Sequence, residues 1–182
     1  ARRADRAVRL IERVERRTRI LPTMTRSIGD TIPSVDLYTM GEQGPEKVNT
    51  SDILGTGKVV LFAVPGAFTP GCSKVHLPGF VQQAHELTDK GVDRIACISV
   101  NDAFVMDAWA NEQGVDGKIV MLADGNGEFT EAMGLVMDGS GFGLGSRSKR
   151  YAAIIDDGVI TSLEVDAQGI ELTTCSAVLG RL

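Results

Sequence analysis

One cysteine of this chain closes the run Pro65-Gly66-Ala67-Phe68-Thr69-Pro70-Gly71-Cys72, and the flanking sequence says what a thiol there could do. Upstream, Val59-Val60-Leu61-Phe62-Ala63-Val64 reads as a buried strand: short, continuous, β-branched and followed by turn residues. Downstream, Leu77, Phe80, Val81, Ala84 and Leu87 recur at spacings of three and four, which predicts a helix from Cys72 to about Lys90 that Gly91 stops. The thiol is thus expected in the first turn of a helix, at the exit of a central strand. A helix N-terminus carries about half a positive charge and unpaired N–H groups, and both favour a thiolate. The chemistry offered is nucleophilic attack by sulfur, with the Thr69 hydroxyl three residues upstream as a neighbouring donor.

The other reactive residue types are few. Cys97 lies within the apolar run Ile95-Ala96-Cys97-Ile98-Ser99-Val100, where a cysteine ordinarily packs as a small hydrophobe. Cys175 lies in Thr173-Thr174-Cys175-Ser176, at an expected loop before the last helix. Three cysteines close no disulfide framework and form no C-x-x-C pair, so a reducing compartment is expected. His76 falls four residues after Cys72 on the same helix face, as a nearby polar group; with two histidines in the chain no metal site is expected. His85 reads as a solvated helix residue. No cofactor is expected either. Gly55-Thr56-Gly57-Lys58 has Val59 where a phosphate loop needs Ser or Thr and opens a strand instead of a helix, while Gly139, Gly141, Gly143 and Gly145 lack dinucleotide spacing.

With 182 residues, 43% of them hydrophobic, the chain can bury one core, and no stretch approaches the ~20 apolar residues that span a bilayer. Residues 1–23 hold eight arginines against Asp5, Glu12 and Glu15, whereas the remainder carries 11 basic and 21 acidic residues. Nucleic acid is therefore not an expected partner of the main domain. We read residues 1–24 as an Arg-rich extension, either a presequence for a mitochondrion or other organelle or a segment foreign to the natural product, and residues 25–182 as the folded domain. A cytoplasmic location is the default expectation.

Within that domain, Ser27–Tyr38 is expected to give a loop and short edge strand, and Lys47–Ile53 a further strand and turn. Pro78-Gly79 predicts a kink in the helix after Cys72. Arg94–Val100 and Lys118–Leu122 read as strands. Residues 103–112 and 128–133 read as helices. Ala152–Ile155 and Val159–Ile160 form a hairpin around Asp157-Gly158, and Ser176–Leu182 a closing helix. The order is α/β with a mixed central sheet flanked by helices, of thioredoxin-like type.

Pro65, Thr69 and Cys72 fit P-x-x-x-T-x-x-C, and PGAFTPGCSKVHLPGF, CISVNDAFVMDAWA, LADGNGEF and GSRSKRY together resemble the peroxiredoxins, most closely the peroxiredoxin-5 or type II subgroup, over Ile28–Leu182. The resemblance implies a thiol-dependent peroxidase for hydrogen peroxide and alkyl hydroperoxides, serving antioxidant defence. Cys72 would be the peroxidatic thiolate that becomes a sulfenic acid. Thr69 would hydrogen-bond the peroxide, Arg150 would be the active-site arginine, and Pro65 would shield the sulfur. Such helpers are needed. A thiol whose pKa falls from about 8.5 to about 6 gains only some 30-fold in thiolate at neutral pH, while its nucleophilicity declines. By resemblance Cys175 matches the C-terminal resolving cysteine of atypical two-cysteine members, and Cys97 the position described for plant type II proteins. A one-cysteine cycle is the third option. Thioredoxin, glutaredoxin or glutathione would be the reductant, and a homodimer the assembly. The rival reading is a redox sensor that passes its oxidation to a partner protein.

Overall fold

The computed structural model describes residues 24–182. The presequence reading falls almost wholly outside them. The described chain opens with the antiparallel hairpin β1 (Asp36–Gly41) and β2 (Gly44–Asn49), followed by the short helix α1 (Thr50–Leu54). Strand β3 (Lys58–Ala63) leads through a loop to a π-helical turn, Cys72–His76, that runs into α2 (Leu77–Asp89). Then come β4 (Arg94–Ser99), α3 (Ala103–Glu112), β5 (Val120–Ala123) and α4 (Glu128–Met133). A small two-stranded ribbon, β6 (Val136–Asp138) and β7 (Ser146–Ser148), precedes β8 (Arg150–Asp156), β9 (Val159–Asp166) and α5 (Cys175–Leu179).

Seven strands make one sheet in the order β2-β1-β5-β4-β3-β8-β9. Strands β3, β4 and β5 are parallel, while β1, β2, β8 and β9 join antiparallel, so the expected mixed α/β sheet of thioredoxin-like type is present. Both faces of β3 are covered, which explains its unbroken apolar run. Val60, Phe62 and Val64 face a core with Leu77, Phe80, Trp109 and Val178; Val59, Leu61 and Ala63 face another with Leu54, Phe129 and Met133. The antiparallel register sets Ala63 opposite Tyr151, so the start of β8 meets the end of β3. That pairing brings Arg150 beside the Cys72 loop across 78 residues of sequence.

Four expectations shift. Lys47–Ile53 is not strand and turn: β2 ends at Asn49, whose side chain accepts from Ser51 N and caps α1. The strand that begins within Ser27–Tyr38 is not at the edge: β1 starts at Asp36 and lies inside the sheet, and β2 takes the edge instead. The irregularity expected at Pro78 falls just before it, in the π turn, where Leu77 N donates to Cys72 O across five residues and the helical backbone then runs on into α2. Cys175 is not in a loop; it begins α5, which ends at Leu179, and its side chain is buried in the core.

Candidate active site

The loop from Val64 to Thr69 is tied down before the cysteine is reached. Val64 N donates to the Ile98 carbonyl at 3.1 Å, Ala67 N donates to Asn101 Oδ1 at 3.0 Å, and Ser99 Oγ holds the same Asn101 oxygen at 2.7 Å. Beside the loop, Arg147 donates to the carbonyls of Leu144 and Val100. The Thr69 hydroxyl donates to the Gly66 carbonyl at 2.8 Å, and Thr69 O accepts from Ser73 N at 3.0 Å, which folds the loop into the helical backbone that starts at Pro70. Phe68 holds a left-handed φ of 64° and stays half exposed.

Cys72 is buried at the start of the π turn, and Arg150 Nη2 lies 3.4 Å from its sulfur. A guanidinium is charged at any pH a protein meets, so this contact stabilises negative charge on sulfur. Gly71 permits the approach. A β-carbon there would stand 3.4 Å from Arg150 Nη2 and 3.3 Å from Ile170 Cδ1.

The arginine is itself positioned. Its Nη1 donates to His76 Nδ1 at 2.9 Å, and His76 Nε2 donates to the Thr173 carbonyl at 2.9 Å. These two bonds define a neutral imidazole with its hydrogen on Nε2. His76 also packs edge-on against Phe62 and Phe80, at 5.2 and 5.6 Å between ring centres. Burial among these rings is the main reason its pKa falls to about 4; the Arg150 charge lowers it further, while the Thr173 bond and the Asp166 carboxylate act in the opposite direction.

A cavity of about 440 Å³ adjoins this cluster, lined by Pro65, Arg150, Met137, Val165, Asp166 and Gly169 among others. Pro65, Thr69, Cys72 and Arg150 therefore converge on one end of the sheet. Cys97 and Cys175 share the core on the Cys72 side, and all three cysteines are free. Burial, and then the neighbouring Cys72, push the Cys97 thiol well above its usual range. Burial, helped by Glu86, pushes Cys175 up to about 12. From the sequence His76 is only a nearby polar group, and Thr173 and Asp166 show no role. His76 had one visible signal, a polar residue at i+4 from Cys72 inside an otherwise apolar stripe. Its partners on β8 and before α5 lie 74 and 97 residues away.

Fold and site define a thioredoxin-like protein with a buried cysteine facing an arginine at the end of the central sheet. Residues 27–179 match the Redoxin family. The chain is 50% identical over 151 residues to the chloroplastic peroxiredoxin-2E of Arabidopsis thaliana, an alignment covering 81% of this chain and 64% of that protein's length. The reduced Prx3 of Vibrio vulnificus, solved in complex with hydrogen peroxide, is 47% identical with a TM-score of 0.83, over 86% of this chain and 99% of that one. Peroxiredoxin 5 from Alvinella pompejana is 38% identical with a TM-score of 0.75, over 85% of this chain and 96% of that one. The chain belongs to the redoxin family and is a peroxiredoxin, an oxidoreductase of the thiol-peroxidase class.

Proposed function

We propose that Cys72 is the peroxidatic residue, and that the enzyme reduces hydrogen peroxide and small alkyl hydroperoxides entering from the cavity beside Pro65 and Arg150. The observation that carries this is the Arg150 fork, with one nitrogen 3.4 Å from the sulfur and the other locked on His76. The Cys72 thiolate attacks the nearer peroxide oxygen; the O–O bond breaks, and the far oxygen leaves as water or alcohol after gaining a proton. Arg150 stabilises charge on sulfur and on the leaving oxygen, and Thr69 turns its hydroxyl from Gly66 O to the peroxide. Pro65 keeps bulk water from the thiolate. The product is a Cys72 sulfenic acid.

Cys175 is the resolving residue we favour. Reaching Cys97 would mean opening β4, which is paired on both sides, whereas α5 is one short helix near the chain end. Attack of Cys175 sulfur on the sulfenic sulfur forms the disulfide and expels water, and a dithiol of thioredoxin, or glutaredoxin with glutathione, returns both thiols by taking the oxidation. The exposed Phe68 and Val75 beside the site suit a homodimer contact. An organelle is favoured over the cytoplasm as the location, since the Arabidopsis relative is named as chloroplastic and residues 1–23 are rich in arginine.

The test is peroxide consumption by Cys72→Ser, expected at the reagent blank. It is paired with intact mass and peptide mapping after one equivalent of hydrogen peroxide, where a Cys72–Cys175 disulfide within one chain is expected. Turnover by the serine variant would sink the assignment of Cys72. A Cys72–Cys97 bond would transfer the resolving role, and a lone sulfenic acid would make the enzyme a one-cysteine type.

A further inference from the structure

The segment from Asp166 to Thr174 touches the site at two points and ends next to Cys175. Asp166 closes β9 and is the register partner of Arg150 on β8. Its carboxylate accepts the backbone N–H groups of Glu171, Leu172 and Thr173 at 3.2, 3.0 and 3.2 Å, and the Thr173 hydroxyl at 2.7 Å. Four donors on one carboxylate curl residues 167–174 back over the sheet end. The curl has three consequences. It presents the Thr173 carbonyl to His76 Nε2, it lays Ile170 against Gly71, and it makes Asp166 and Gly169 part of the cavity wall beside Arg150.

We propose that Asp166 is a positioning residue that latches this loop, and that the latch serves the two half-reactions in opposite ways. Closed, it holds the Thr173 carbonyl where His76 must spend its Nε2 hydrogen, which leaves Nδ1 to accept from Arg150 and keeps the guanidinium on Cys72. Open, it frees the stretch that leads into α5, so that the buried Cys175 thiol can emerge. A stronger latch favours oxidation of Cys72 and restrains exposure of Cys175; a weaker one does the reverse. The proposal rests on the peroxidase reading of Cys72 but not on Cys175 being the resolving residue.

The experiment compares wild type, Asp166→Asn and Asp166→Glu by two readouts. The first is the second-order rate of Cys72 oxidation by hydrogen peroxide in stopped flow, followed by the fluorescence of Trp109, the single tryptophan, whose Nε1 bonds Ser73 one residue past Cys72. The second is the alkylation rate of Cys175 by a maleimide, located by peptide mapping and measured in the Cys72→Ser background. Removing the charge weakens four charge-assisted bonds, so Asp166→Asn is expected to slow oxidation about 10-fold and to speed Cys175 alkylation about 10-fold. Asp166→Glu, which keeps the charge, is expected to recover part of both. Oxidation within twofold of wild type, or Cys175 labelling unchanged while oxidation slows, overturns the latch. A rise in Cys97 labelling equal to that of Cys175 also overturns it, because the variant would then be loosening the whole core. Wild-type protein whose Cys72 does not react with peroxide overturns the peroxidase reading and the latch together, whereas a reactive wild type with an indifferent variant overturns the latch alone.

Discussion

Arg150 shows how much one side chain can be asked to do when its two amino groups are assigned separately. Nη1 is committed to His76 and Nη2 faces Cys72, so the planar fork cannot swing away without breaking a bond in a buried site. A lysine has one freely rotating ammonium and cannot make both contacts at fixed angles. Arg150→Ala is accordingly expected to slow Cys72 oxidation by about 10²-fold, the usual loss when one preorganised donor to a developing oxyanion is removed. Arg150→Lys should recover only a minor part. Stopped-flow rates at several peroxide concentrations check this, and an alanine variant oxidised at the wild-type rate would remove Arg150 from the mechanism.

The elements explain why some of this could be read from the sequence and some could not. The β3 run, the apolar stripe of α2 and the P-x-x-x-T-x-x-C spacing are local patterns, and the strand, the helix and the cysteine between them follow from them. The β8–β9 hairpin is equally local, since Asp157-Gly158 turns between two apolar runs with Asp157 at a φ of 45° and Gly158 at 80°. What had no local signal was any contact made by sheet order. His76 meets Arg150 because β8 pairs antiparallel with β3, and it meets Thr173 because Asp166 curls the loop after β9. Cys175 was misplaced because a five-residue helix has too few positions for a periodicity, and Thr174 reads equally well as a loop residue or a cap. In the structure Thr174 is the cap: its Oγ1 accepts from Ala177 N at 3.2 Å. Losing an N-cap costs about 1 kcal/mol, or roughly fivefold in a local equilibrium. Thr174→Ala is therefore expected to raise Cys175 alkylation about fivefold while Cys97, held within β4, keeps its rate. Equal acceleration at both cysteines would mean that α5 does not open on its own.

For the whole molecule, the buried neutral imidazole makes stability depend on pH. His76 is held at about 4 in the folded protein, chiefly by burial, against about 6.5 for an imidazole in an unfolded chain. Below pH 6.5 the unfolded chain takes up a proton that the folded protein refuses, so stability is complete above that pH and falls as pH drops toward 4. The span bounds the loss at roughly 3 kcal/mol, a large share of what holds a domain together. Asp124 acts in the opposite sense. Burial raises its pKa despite the N–H groups of Phe129 and Thr130 on its carboxylate, so it gains relative stability from acid just above the ordinary carboxylate range. Asp166, whose pKa burial raises but the Thr173 hydroxyl and loop N–H bonds bring below normal overall, loses stability only in stronger acid, as pH falls through that lowered value. The His76 contribution is isolated by urea unfolding of wild type and His76→Gln between pH 7.5 and 4.5. The variant should be less stable at pH 7.5, where it loses a fitted ring, yet its stability should decline less steeply with acid, so that the two curves converge. Protonation would also place a hydrogen on Nδ1, against the Arg150 donor, so wild-type oxidation of Cys72 should fall over the same acid range. Parallel stability curves for the two proteins would mean that His76 titrates freely in the folded state, and the neutral relay between Thr173 and Arg150 would have to be abandoned.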